Sequence, residues 1–169
     1  MALRTARLTL AVLFALWSYS SPGARNAIAA AQEARAEAGA AAGVQASIVE
    51  LTNAARAGVA PLRANAQLMR AAQLHAEQMA SLGRMEHVLD GAKYPSPQDR
   101  LTAAGYRWSA FAENVASGQH TPQSVTKSWM TSAGHRANIL SATYAELGIG
   151  YALDARGRPY FVQVFGKPL

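Results

Sequence analysis

Histidines are the side chains best suited to chemistry in this chain, because its 169 residues include four histidines and no cysteine. Disulfides, thiolate zinc sites and cysteine nucleophiles are therefore excluded. His87 and His135 follow glycines near the ends of predicted elements, where side chains tend to face a cleft rather than a core. His75 lies on the apolar face of a predicted helix, which favours a packing role, and His120 precedes a helix cap, which favours a solvated loop. The candidate pair is therefore His87 and His135.

The pair His87 and His135 is compatible with three kinds of role. Two neutral imidazoles could bind one divalent cation, with water or a carboxylate completing the coordination. Alternatively, one histidine could act as a general base that a carboxylate orients. As a third alternative, both side chains could simply hydrogen-bond neighbouring loops. The spacing of the two residues does not choose between these roles.

Two predicted helices precede His87. Apolar residues recur at helical spacing over residues 44–55, and Gly58 ends that pattern. Asn65 is a suitable N-cap for a second helix that runs to Gly83 and carries His75 on its apolar face. His87 is thus expected in the loop that follows the second helix.

Two further helices are predicted from a cap residue followed by proline. Ser96-Pro97 opens a short third helix that ends at Gly105. Thr121-Pro122 opens a fourth helix that runs through Met130. His135 is thus expected at the junction that follows the fourth helix.

Three segments have the pattern of strands, at residues 110–116, 146–153 and 159–165. The last two flank a five-residue turn at 154–158, which suits an antiparallel hairpin. Helices followed by a small antiparallel sheet, with one helix inserted between strands, predict an α+β fold rather than a doubly wound parallel sheet.

The N-terminus has the pattern of a secretory signal peptide. Arg4 and Arg7 precede an uncharged, mostly apolar run at residues 8–17, which is too short for a bilayer span of about 20 residues. Cleavage after Ala29 gives a signal peptide at 1–29, and the protein is then secreted or periplasmic, with no membrane span after cleavage. The alternative is an uncleaved membrane anchor.

An alanine-rich segment follows the predicted signal peptide. Residues 24–46 contain twelve alanines, which favour a helix but leave little side chain to bury. We therefore assign residues 30–43 to a loosely helical linker and residues 44–169 to one folded domain.

The net charge of +6 gives little support to a nucleic-acid partner. Removal of the signal peptide would leave 13 basic and 10 acidic residues, because Arg4, Arg7 and Arg25 go with it. The remaining lysines and arginines are spread along the chain, whereas phosphate recognition needs them clustered on one face. No nucleic acid is therefore expected as a partner.

Three segments resemble the CAP superfamily, which includes cysteine-rich secretory proteins, insect antigen 5, plant pathogenesis-related proteins and bacterial secreted relatives. Residues 112–116 (AENVA) look like the family's E-N strand, and residues 128–140 (SWMTSAGHRANIL) look like the bacterial W-M…G-H-R-x-N-I-L block. Residues 146–152 (ELGIGYA) resemble the strand that follows. The resemblance covers residues 44–165 and implies a three-layer α-β-α sandwich with a small central antiparallel sheet.

The resemblance also implies a cleft that holds two histidines and acidic residues. His87 matches the first histidine, Glu113 the acid of the E-N strand, and His135 the second histidine. A second acid is expected three residues after Trp129, where this chain has Ser132. The implied cofactor is a divalent cation such as zinc at His87 and His135. Glu113 would orient a histidine, and Ser132 would cap the turn that begins His135's segment.

The other matched residues are expected to have structural roles. Asn114 and Asn138 should fix backbone turns, and Gly148 and Gly150 should allow another backbone to approach closely. The large apolar residues should be buried, namely Trp129, Ile139, Leu140, Ile149 and Phe161.

Two functions follow from the resemblance. One is a secreted bacterial binding module without catalysis, whose extracellular ligand is a lipid, a glycan or a protein. The other is a metal- or histidine-assisted hydrolase of a peptide or cell-wall bond, in which Glu113 and His135 would be the catalytic residues. A shared fold does not decide whether the chain is an enzyme. The missing second acid favours the binding module.

Overall fold

A computed structural model describes residues 22–169, which form five helices and one four-stranded sheet. The elements in chain order are α1 (Pro22–Ala55), β1 (Arg63–Ala64), α2 (Ala66–Leu82), α3 (Pro97–Ala103), β2 (Trp108–Ser117), α4 (Pro122–Thr131), α5 (Ala133–Leu140), β3 (Glu146–Leu153) and β4 (Pro159–Pro168). This arrangement confirms the predicted α+β class. Within residues 22–169, no helix combines the length and the apolar character needed to cross a membrane.

The predicted caps define the helices that surround the candidate site. The Asn65 side chain accepts hydrogen bonds from the main chain of the first turn of α2, which ends at Gly83 with a φ of 64°. Ser96 forms a capping box with Asp99 at the start of α3. Each cap satisfies main-chain N–H groups that would otherwise lack a partner. The loop that carries His87 is therefore bounded by two firmly ended helices.

The sheet has the order β1-β3-β4-β2. The two pairs that β4 makes, with β3 and with β2, are antiparallel as expected. β1 was not predicted from the sequence, and it pairs in parallel with β3. A two-residue strand is too short for its alternation to be visible in sequence, and only the fold brings it beside Glu146 and Leu147.

Helices cover both faces of the sheet. Alternate residues of β4 point to opposite sides: Val162 and Val164 pack with α2 on one face, whereas Phe161 and Phe165 pack with α1, α4 and α5 on the other. Four of the five residues expected in the core are buried, namely Trp129, Ile139, Ile149 and Phe161. Leu140 is 36% exposed, so its predicted burial was wrong. It is the last residue of α5, where the buried face of the helix has ended.

Gly148 and Gly150 bring the backbone of α2 directly onto β3, as predicted. A Cβ atom at Gly148 would lie 2.1 Å from the carbonyl carbon of Leu68, and one at Gly150 would lie 2.1 Å from the carbonyl oxygen of Ala72. Neither backbone can move aside cheaply, so any side chain at these two positions would displace the helix. The glycines therefore fix α2, and with it His75, close to the sheet.

The helix at the N-terminal end is longer than the sequence pattern indicated. α1 begins at Pro22 rather than near Val44, so the residues assigned to the linker, 30–43, are helical. The chain divides into two units, one that ends at Ala40 and one that comprises Ala41–Leu169. Residues 1–21 of the predicted signal peptide lie outside the described residues. The boundaries 1–29, 30–43 and 44–169 therefore remain predictions.

Candidate functional site

Glu113 is the centre of a buried cluster of charged and titratable side chains. It lies on β2, opposite Val164 of β4, and its side chain is only 4% exposed. Its carboxylate lies 2.9 Å from His87 Nδ1, 3.2 Å from Arg100 Nη2 and 3.6 Å from His75 Nε2. One carboxylate therefore links two histidines and an arginine from three separate segments of the chain.

His87 contacts the carboxylate from the loop between α2 and α3. Because a carboxylate only accepts hydrogen bonds, His87 Nδ1 must carry the proton that Glu113 Oε1 accepts. This hydrogen bond raises the pKa of His87. Its side chain is 52% exposed. In the neutral ring, Nε2 keeps its lone pair and is not used by Glu113.

Arg100 is the cation that balances Glu113. Its side chain is 1% exposed, and its Nη2 donates both to Glu113 and to the main-chain oxygen of His87, the latter at 2.8 Å. Burial lowers the pKa of Arg100, and the charge of Glu113 acts in the opposite direction. An arginine guanidinium keeps its proton in proteins, so the contact is a buried ion pair.

His75 lies in the core, as its place on an apolar helix face indicated, but it also borders Glu113. It is fully buried at the sheet-facing side of α2. Burial lowers the pKa of His75 to about 4, and the nearby charge of Glu113 offsets only part of that effect. His75 is therefore neutral at neutral pH.

His135 reaches the site from α5. It is the third residue of that helix and is partly exposed. Partial burial lowers the pKa of His135, and the charge of His87 lowers it further. The second effect means that the two imidazoles lie near enough to repel each other when both are protonated. The structure thus brings His87 and Glu113 into direct contact, and the effect of the His87 charge on the pKa of His135 is what relates His135 to this pair.

A chain of uncharged side chains fixes the backbone at His135. Asn114 Nδ2 donates to the His135 carbonyl at 3.2 Å and to Gln163 Oε1 at 3.0 Å. Asn138 Nδ2 donates to Asn114 Oδ1 at 2.8 Å, and Gln163 Nε2 donates to Thr52 Oγ1 at 2.8 Å. These bonds connect α5 to α1 through β2 and β4. Asn114 therefore fixes backbone as predicted, whereas the Asn138 side chain bonds to the Asn114 side chain and not to a backbone group.

Ser132 does not have the capping role that was predicted for it. It stands between α4 and α5, at the N-cap position of α5, but its side chain makes no capping hydrogen bond. Its φ of −88° and ψ of 123° give an extended backbone that turns the chain from one helix to the next. Ser132 therefore contributes its backbone conformation, which separates α4 from α5.

Two members of the cluster were not among the predicted site residues. Arg100 belongs to a seven-residue helix, and its contact with Glu113 spans thirteen positions with no periodic relationship. His75 did give a signal, since an imidazole on an otherwise apolar helix face needs a polar neighbour to be stable there. The fold places Glu113 Oε1 3.6 Å from His75 Nε2, an electrostatic contact beyond hydrogen-bond distance that the sequence does not reveal.

The described residues provide no closed structural metal site. Within residues 22–169, no three histidine, aspartate or glutamate side chains are placed to hold one metal together. His87, however, has the arrangement typical of a metal-binding histidine, in which one ring nitrogen donates to a carboxylate and the other is left for the metal. His87 and His135 could thus supply two nitrogens, with water completing the coordination.

The comparison with protein families matches residues 23–165 to the cysteine-rich secretory protein (CAP) family. Among curated proteins, the chain is 36% identical over 122 residues to the uncharacterized Bacillus subtilis protein YkwD, covering 71% of this chain and 46% of that protein. It is 31% identical over 122 residues to the uncharacterized membrane protein YlbC of the same bacterium, covering 71% of this chain and 33% of YlbC. The chain thus spans less than half the length of these two relatives.

Solved structures with the same fold come from several bacteria. An extracellular protein with an SCP domain from Bacillus anthracis superposes with a TM-score of 0.66 at 25% identity, over 74% of this chain and 40% of that one. An outer surface protein of Borrelia burgdorferi gives 0.65 at 20% identity, over 72% and 90%. A cysteine-rich secretory protein of Staphylococcus aureus gives 0.56 at 23% identity, over 73% and 38%.

Proposed function

The chain belongs to the cysteine-rich secretory protein (CAP) family, and from that premise we propose that it is an extracellular bacterial binding module with a divalent-cation site at His87 and His135. The observation that carries the proposal is the 2.9 Å hydrogen bond between His87 Nδ1 and Glu113 Oε1. This bond selects the tautomer of His87 in which Nε2 is free to bind a cation.

The two histidines differ in a way that suits a cation site near neutral pH. The pKa of His135 is lowered by burial and by the charge of His87, which favours the unprotonated form that binds a cation. The hydrogen bond to Glu113 raises the pKa of His87. As pH falls, a proton therefore competes with the cation for His87 Nε2. Zinc suits two imidazoles completed by water or a ligand oxygen. When bound, the cation would anchor an oxygen atom of the ligand.

Apolar side chains beside His87 support an organic ligand in addition to the cation. Met85 and Val88 are each 48% exposed and lie two residues before and one residue after His87. Large apolar side chains exposed beside a polar site are typical of ligand-binding surfaces. A ligand with an apolar part next to a metal-binding oxygen would use both features, and a lipid or a protein segment can supply that combination.

An extracellular location agrees with the relatives of known structure. One of them is an extracellular protein and another is an outer surface protein. We propose export through the signal peptide predicted at 1–29, to the periplasm or the medium. Fractionation of cells that express the full chain tests this proposal. A product that stays in the cytoplasm at its full length contradicts it.

Zinc titration of the purified protein tests the cation site. Wild type is compared with the double variant His87→Ala/His135→Ala and with the control His120→Ala, which removes an exposed histidine outside the cluster. Isothermal titration calorimetry should show binding in wild type and in the control, and none in the double variant. Equal binding by all three proteins rejects a site at His87 and His135.

The same hydrogen bond favours hydrolysis as the second candidate function. An imidazole oriented by a carboxylate is the arrangement of a general base, and here it would activate water, because no serine or cysteine nucleophile is indicated. Turnover of a peptide or cell-wall substrate that disappears in His87→Ala and in His135→Ala would establish this function. No turnover at high protein concentration leaves the binding module.

A further inference from the structure

The loop that carries His87 needs an external anchor. Residues 84–96 contain no helix or strand, and most of their side chains are exposed. Within the loop, the main chain closes two bonds, from Ala92 N to Leu89 O at 3.0 Å and from Leu89 N to Pro95 O at 3.1 Å, and both involve Leu89. Leu89 is buried and holds the middle of the loop, so the exposed residues around His87 depend on another group to fix their conformation.

Arg100 supplies that anchor through both ends of its guanidinium. Nη1 donates to the Pro95 carbonyl at 2.8 Å and to the Tyr94 carbonyl at 3.3 Å. Nη2 donates to the His87 carbonyl at 2.8 Å and to Glu113 Oε2 at 3.2 Å. The arginine therefore holds the end of the loop, the main chain of His87 and the carboxylate that the His87 ring contacts.

We propose that Arg100 is the positioning residue of the cation site, an inference that rests on the proposed function. A single nitrogen, Nη2, sets the distance between the His87 main chain and the Glu113 carboxylate. It thereby aligns Nδ1 with Oε1. The guanidinium can do this because it is planar and presents several N–H groups in fixed directions. Lysine has the same charge but one rotatable ammonium, so it cannot hold four acceptors in this geometry.

The experiment compares Arg100→Lys with the matched control Arg70→Lys in the full chain. Arg70 lies on α2 and also donates to a main-chain oxygen, that of Ala104 at 3.0 Å, but it is exposed and outside the cluster. Long-range ¹H–¹⁵N spectra, recorded where His87 is neutral, report which ring nitrogen carries the proton. Zinc affinity is measured on the same samples, and circular dichroism checks folding.

Wild type and Arg70→Lys should show the proton on His87 Nδ1. Arg100→Lys should show a mixture of tautomers, and its zinc affinity should fall about 10- to 100-fold, the usual effect of losing a group that orients a metal ligand. A folded Arg100→Lys protein with an unchanged tautomer and unchanged zinc affinity overturns the inference. A residue that only stabilised the fold would leave the tautomer of the folded fraction unchanged.

Two further outcomes separate this inference from the proposed function. If wild type binds no zinc, the cation site fails, yet the tautomer of His87 in Arg100→Lys still decides the role of Arg100. If Arg100→Lys does not fold, the role of Arg100 is tested by NMR of the wild-type protein. The Arg100 Nη protons should exchange slowly and show nuclear Overhauser contacts to the main chain near His87, and rapid exchange without such contacts overturns the inference.

Discussion

The two histidines of the site are held by different physical means. His87 lies on an irregular loop, and a buried ion pair between Arg100 and Glu113 fixes it. His135 lies on a helix, and a chain of neutral amide groups through Asn114 fixes it. A charged anchor can hold a segment that has no regular structure, but it makes the protein depend on each charge being paired. A chain of neutral hydrogen bonds adds less stability per bond, but it does not depend on pH.

Removal of the arginine should be the most damaging change on the His87 side. Arg100→Met leaves the Glu113 carboxylate buried without its cation, and we expect a loss of about 3–5 kcal/mol in the free energy of unfolding. The double variant Arg100→Met/Glu113→Gln should recover most of this loss, since no unpaired charge remains. Urea denaturation of the three proteins measures both effects. A loss below about 1 kcal/mol in the single variant would mean that water already solvates the carboxylate.

Truncation of the amide chain should cost less and should act on His135 alone. Asn114→Ala leaves Gln163 Oε1 and the His135 carbonyl without their donor, and we expect a loss of about 2–3 kcal/mol. Zinc affinity should fall, whereas the His87 tautomer should stay as in wild type. Denaturation measures the loss of stability, and the ¹H–¹⁵N spectra report the tautomer of His87. A changed His87 tautomer would show that the two anchors are not independent.

Acid should lower the stability of the protein through the histidines near Glu113. The pKa of His75 is about 4 in the folded protein, against an ordinary value of 6.5, so the unfolded chain takes up this proton first as pH falls. Stability is therefore retained above pH 6.5 and lost as pH falls toward 4. The raised pKa of His87 acts in the opposite sense, because its stabilising effect is present at low pH and is lost as pH rises through that value.

From His75 alone we expect a loss of about 2–3 kcal/mol between pH 6.5 and pH 4, and the raised pKa of His87 acts against it. His75→Gln removes the destabilising proton uptake and should flatten this part of the pH profile. Denaturant midpoints at several pH values provide the measurement. A His75→Gln profile as steep as that of wild type would assign the acid sensitivity to other groups.

Ser132 should give the smallest effect, although it occupies the position where the resemblance led us to expect an acid. Its side chain makes no capping bond, so Ser132→Ala should change the free energy of unfolding by less than about 0.5 kcal/mol. The control is Thr121→Ala, which removes a formed cap at the start of α4 and should cost about 1 kcal/mol. Thermal melts of both variants make the comparison. A larger loss for Ser132→Ala than for Thr121→Ala would show that the Ser132 hydroxyl stabilises the fold.

Short sequence patterns predicted most helices and strands of the fold. The elements that were not predicted are too short to carry such a pattern. The cap residues Asn65, Ser96 and Thr121 act within one helical turn, so they could be recognised in the sequence. β1 could not be predicted, because two residues carry no periodicity. α5 was interpreted as a junction after the fourth helix, since it is short and Gly134 stands near its start.

In the candidate site, too, some residues could be predicted from the sequence and others could not. The resemblance pointed to His87, Glu113 and His135, and the fold places His87 and Glu113 in direct contact. The residues that orient them could not be found from spacing. Arg100 meets His87 across thirteen positions, and Gln163 meets Thr52 across 111. Such pairs follow no helix or strand period, so only the tertiary structure identifies them.

The close approach at Gly148 and Gly150 should also favour one alignment of β3 during folding. If β3 slipped by one residue, Leu147 or Ile149 would meet the backbone of α2, and their side chains would prevent the helix from docking. The contact between Met69 and Ile149 spans 80 positions, so the helix closes a long loop when it docks. Misaligned chains would thus leave the apolar face of α2 exposed, which makes them the species expected to aggregate.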